Sequence, residues 1–62
     1  MTDDEIRRSL QREIGFLRGA AVELRRIALR APEVADELRR LADQFDQDAE
    51  DLGKRFAGFR PA

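Results

Sequence analysis

Leu10, Ile14, Leu17, Ala21, Leu24, Ala28 and Ala31 step by alternating intervals of four and three residues, and a proline follows at position 32. An α-helix turns once in about 3.6 residues, so this spacing lays an unbroken apolar seam along one long helix, while a strand would need alternation by two. Thr2 with Glu5 three residues later reads as a capping box, and Asp3 and Asp4 suit the positive end of the helix dipole. The first helix is therefore expected from about Asp3 to about Arg30. Proline cannot continue it and pushes Ala31 out of the helical region. Proline does suit the first turn of a second helix, where Glu33, Asp36 and Glu37 again favour the positive end.

The turn is thus confined to about residues 30–32, and so short a connection makes antiparallel neighbours. The second helix is expected over about residues 32–57. It carries Val34, Leu38, Leu41, Phe45 and Leu52, flanked by Ala35, Ala42 and Ala49. Asp36–Arg40 and Glu50–Lys54 stand at i, i+4 and support its exposed side. Gly53 could end this helix, but Phe56 and Phe59 keep the spacing from Leu52, so it is expected to reach Ala57. Gly58 and Pro61 then close it, leaving a short tail over 58–62 of a single helical-hairpin domain spanning 1–62.

Two helices alone bury a single seam. A chain of 62 residues buries only about 60% of its unfolded surface, and such domains usually need a disulfide, a metal or a partner. Cysteine and histidine are both absent, so neither disulfide nor ordinary zinc site is available. Association remains. The expected fold is all-α, an antiparallel helical hairpin that dimerises into a four-helix bundle. Leu10, Ile14, Leu17, Leu24, Leu38, Leu41, Phe45 and Leu52 are the expected interface.

Charged residues make up 40% of the chain, yet the net charge is only -1. Residues 7–30 hold seven arginines against Glu13 and Glu23, a local charge of +5, whereas residues 32–52 hold eight acids against Arg39 and Arg40, a local charge of -6. Lys54, Arg55 and Arg60 follow. Met1 is succeeded by Thr2, Asp3, Asp4 and Glu5 and not by a basic and then apolar run, so no signal peptide is expected. No stretch approaches the roughly 20 apolar residues of a membrane span. The expected location is cytoplasmic.

Catalysis needs a nucleophile, a base or a metal in a concave site. The chain has no His, Cys, Tyr, Trp or Asn, and its single serine, Ser9, lacks an activating base. Thr2 is a cap, and Lys54 is the only lysine. No enzymatic activity, cofactor or small-molecule substrate is expected. Asp36, Asp43 and Glu50 repeat every seven residues. Di-metal bundles turn such carboxylates inward and pair them with histidine, so a solvated acidic stripe is expected and no metal.

The arginines of the first helix admit two readings. Arg12, Arg18, Arg25 and Arg26 fall at e and f positions of the heptad and are expected to share one outer sector, and Phe16 stands one turn from Arg12, an arrangement that suits phosphate contact and base stacking. Alternatively, these arginines pair with the acidic second helix. A separate feature is the heptad repeat Gly15, Val22 and Leu29, bordered by Phe16 and Gly19. Glycine inside a helix costs about 1 kcal/mol relative to alanine, and a G-x-x-x-G spacing admits another backbone. This face is expected to pack against another chain, as the dimer interface or as a docking site, unless the bundle core is simply wide.

From the turn onward, Leu29, Ala31, Glu33, Ala35, Asp36, Leu41, Asp43, Asp46, Arg55 and Phe56, with Met1, Thr2 and Glu5 at the start, give a sequence that resembles the Rop/Rom-like plasmid copy-number regulators. The resemblance mainly covers residues 29–56. It implies a dimeric antiparallel four-helix bundle that contacts paired RNA loops through the outward face of the first helix. Without gaps, that family's phenylalanine falls on Ile14 and its glutamine and lysine on Arg18 and Arg25. Shifted by two residues, the phenylalanine falls on Phe16 and the asparagine on Arg12, while Ala20 and Ile27 take the other two places. The expected function is a non-enzymatic interaction or regulatory protein acting as a homodimer. The alternatives are RNA binding through Arg12, Phe16, Arg18 and Arg25, and a structural subunit of a larger protein complex.

Overall fold

The first helix, α1, runs Asp3–Arg30 and is started by Thr2, whose Oγ1 accepts a hydrogen bond from the Glu5 backbone N–H at 3.2 Å. Asp3, Asp4 and Glu5 fill its first turn and Arg30 its last, each placed to complement the helix dipole. Ala31, at φ -129° and ψ 72°, has left the helical region, as the residue before a proline is driven to do. The chain reverses through a single 3₁₀ turn, Pro32–Val34, closed by the Val34 N–H donating to the Ala31 carbonyl at 3.1 Å. The second helix, α2, runs Ala35–Ala57. It passes through Gly53 without a break, since no described glycine has positive φ.

The computed structural model describes residues 2–58; the expectations attached to Met1, Phe59, Arg60 and Pro61 lie outside the described residues. The hairpin is all-α and measures 50 × 15 × 12 Å. Its second helix begins as a 3₁₀ turn and becomes α-helical at Ala35, a small correction to a helix starting at Pro32. The first of the two expected i, i+4 pairs is also replaced. Asp36 meets Arg39 at 3.7 Å and not Arg40, whereas Lys54 meets Glu50 at 3.5 Å.

The helices meet through alanine. Ala21, Ala28, Ala35, Ala42 and Ala49 are the buried hydrophobic residues, and Ala21, Ala42 and Ala49 have no exposed surface. Ala28 and Ala35, like Ala21 and Ala42, are equally distant from the turn, so the two ladders stand level and the small side chains let the axes close. Ile14 continues the ladder of α1 by one heptad and is half-buried. Among the described residues no large side chain is fully buried.

This alanine contact divides the hairpin into two unlike sides. Residues three after or four before a ladder alanine are rotated the same way from the contact, by roughly 40–60°. On α1 these are Leu17 and Leu24, with Leu10 a heptad earlier. On α2 they are Leu38, Phe45 and Leu52. Because the helices are antiparallel and face each other, the same rotation puts both rows on one side. Residues four after or three before an alanine are Arg18, Arg25, Arg39 and Asp46, which occupy the other side. There Arg25 bridges to α2, its Nη2 lying 2.8 Å from Asp43 and 2.7 Å from Asp46. At the open end the Arg7 guanidinium lies 5.8 Å from the centre of the Phe56 ring, within cation–π range.

Candidate interaction surface

The leucine side is the hairpin's larger apolar surface. Leu10, Leu17, Leu24, Leu38, Phe45 and Leu52 are all half-buried. At their margin Ile27, Val34 and Leu41 are exposed, Leu41 to 45%. A shallow depression of 330 Å³ on this side is lined by Leu17 and Leu52 with Asp48, Asp51 and Arg55.

The four residues considered for RNA contact do not share one surface. Arg12 and Phe16 stand one turn apart on the outward back of α1, both exposed, Phe16 to 72%. Arg18 and Arg25 belong to the charged side, about a third of a turn away. Arg25 is engaged by Asp43 and Asp46, and those hydrogen bonds, Asp43 first, raise its pKa above the ordinary arginine value. Among the described residues Arg12 and Arg18 make no ion pair, and Arg26 is held by Glu23 of its own helix at 2.8 Å. Cross-helix neutralisation therefore reaches Arg25 and stops there.

Gly15, Val22 and Leu29 lie at the edge of the charged side, one residue after Ile14, Ala21 and Ala28 respectively. Leu29 is 78% and Val22 46% exposed, and Phe16 projects from a different sector. A Cβ added at Gly15 or Gly19 would meet nothing within 4 Å, so the hairpin's own packing does not call for glycine at either position. Val22 and Leu29 line a shallow surface depression of 420 Å³ together with Arg25, Arg26, Arg39 and Asp43. The contribution of α2 to it was not expected from the sequence. The available signal was Arg39, four residues after Ala35 and so rotated to the same side as Arg25.

Asp36, Asp43 and Glu50 each meet a cationic side chain, and among the described residues no group of three or more acidic side chains is placed to hold a metal ion. Among the described residues no helix is long and apolar enough to cross a membrane. Compared with protein-family models, curated proteins and solved structures, the chain matches none.

Proposed function

We propose that the protein is a homodimeric four-helix bundle, a non-enzymatic interaction or regulatory protein that acts through its outer surface. The observation that carries this reading is the division of the apolar residues. The hairpin buries only alanine, while its leucine and phenylalanine rows lie side by side and half in water. Exposed apolar residues scattered singly mean little, but a contiguous set along both helices marks a contact. A second copy supplies the same rows, and a two-fold axis brings them together over the whole hairpin. Melting should then rise with protein concentration, because the association that completes the core favours the folded state. A melting temperature that is the same at about 1 μM and about 100 μM would remove the dimer.

RNA binding is the second reading, favoured by the exposed Phe16 beside Arg12 on the back of α1, which the bundle leaves open. It is also what the resemblance to the Rop/Rom-like regulators implies. Binding to paired RNA loops should weaken steeply with salt, and Arg12→Ala should lower the salt slope by about one contact's worth. Phe16→Ala should cost about 1–3 kcal/mol of binding if the ring stacks on a base. A gel-shift series without binding to looped RNA at about 50 mM salt would remove this reading.

A further inference from the structure

The leucine side changes character along its length. Heptad steps extend the ladders to Arg7 on α1 and Phe56 on α2, which meet at the open end. The residue just before each ladder position is rotated about 100° from the contact between the helices, past the leucine rows, and so faces whatever covers that side. In the half next to the turn these residues are Ala20, Ile27, Val34 and Leu41, all apolar, the last three exposed to 47%, 39% and 45%. In the half next to the open end they are Ile6, Glu13, Asp48 and Arg55. Among the described residues Glu13 and Arg55 make no ion pair. Resting on the homodimer reading above, we propose that the two copies join with their turns at the same end. The two-fold axis then runs along the helices, and α1 of each copy packs on α2 of the other.

A two-fold axis can lie in such an interface along the helices or across them. Along them, it sets each residue opposite the partner's residues at the same distance from the turn. Ile27 then lies beside the partner's Val34 and the partner's Leu41, and the apolar halves cover one another. Glu13 falls in height between the partner's Asp48 and the partner's Arg55. Side chains lean toward the N-terminus of their helix, so Glu13 leans to the open end while Asp48 and Arg55 lean to the turn. Asp48 already accepts a hydrogen bond at 2.9 Å from Gln44 Nε2, four residues nearer the turn. Glu13 and the partner's Arg55 therefore converge, twice in the dimer by symmetry, while the partner's Asp48 leans away. An axis across the helices would reverse one copy end for end. It would lay Val34 and Leu41 against the partner's charged half and bring the two Asp48 carboxylates together near mid-length, where like charges repel. The same-end arrangement also sets the outer surface. Each basic α1 lies between two acidic second helices, so the Arg12–Phe16 pairs stand at opposite corners and the dimer offers two separate contact surfaces.

The test is pulsed electron paramagnetic resonance between nitroxides on Glu33→Cys, the single cysteine of a chain that has none. Glu33 is exposed in the turn, so circular dichroism and oligomeric mass should match the unlabelled protein. The same-end dimer predicts one distance below about 30 Å, within the width of a bundle of helices about 10–12 Å across. A distance of about 45 Å, the rise of roughly 30 residues, alone or beside the short one, would overturn the proposal and leave the bundle reading standing. A monomer without an intermolecular distance would overturn both. Sedimentation gives a second readout. R55E should raise the dimer dissociation constant about fivefold or more, since two pairs are lost, and E13R/R55E should bring it back. Failure of E13R to restore the dimer would remove the pairing and overturn the arrangement.

Discussion

At the scale of single residues, size decides what the hairpin can bury. Ala21 and Ala42 have no exposed surface and belong to the ladder through which the two helices meet. Ala21→Leu or Ala42→Leu adds three heavy atoms with nowhere to go. Each should cost about 1–3 kcal/mol by overpacking, which thermal melts would register as a drop of about 4–8 °C per kcal/mol in a domain this small. Thr2 acts through one hydrogen bond to the Glu5 N–H. Thr2→Ala should cost about 1 kcal/mol, read as earlier fraying of α1 by amide exchange. Arg25 needs its two aspartates differently. Its raised pKa means that any stability from the pairing is fully present below arginine's unfolded value and is lost only as pH rises through the higher folded value. Changes of pH around neutrality should therefore leave the Arg25 proton in place.

At the scale of helices, the 3-4 periodicity and Pro32 were enough to read two antiparallel helices, because spacing and backbone sterics act locally. Continuation of α2 through Gly53 followed from the place of Phe56 in the pattern. The periodicity could not say which row of the seam meets the sister helix. Leu17 and Ala21 are equivalent as apolar positions, and only packing separates them. Alanine lets the axes close, so the alanine rows take the contact within the hairpin and the leucine rows are left beside it. The depression on the charged side was hidden for a related reason, since Arg39 joins Val22 and Leu29 only once the two helices are set level. Pairs between exposed side chains were also poorly legible. Asp36 reaches Arg39 and Arg40 with little difference in energy, and the choice depends on rotamers and not on spacing. Gly15 and Gly19 carry a prediction at this scale. With open space around both, Gly15→Ala and Gly19→Ala should each stabilise α1 by about 1 kcal/mol. Gly15→Leu and Gly19→Leu should also melt higher, and bulk there should block the close approach of another chain. If both variants keep the same oligomeric state and partners, this face is ordinary surface.

At the scale of the whole molecule, the hairpin leaves its leucine side half in water, and the proposed bundle covers that side with a second copy. Leu17→Asp and Leu41→Asp separate the monomer from the dimer. In an isolated hairpin both positions are already partly in water, Leu41 to 45%, and the substitutions would be mild. In the proposed bundle Leu17→Asp buries an unpaired charge in the leucine row and Leu41→Asp places one at its margin, a loss of about 3 kcal/mol or more that a domain of this size cannot absorb. Both variants should therefore fail to fold, as far-ultraviolet circular dichroism would report. The most direct measurement is sedimentation equilibrium of the unmodified protein from nanomolar to micromolar concentration, with helix content followed on the same samples. The bundle predicts a species of twice 7.1 kDa whose helix signal disappears as dilution dissociates it; a fully helical 7.1 kDa monomer persisting across that range would contradict it.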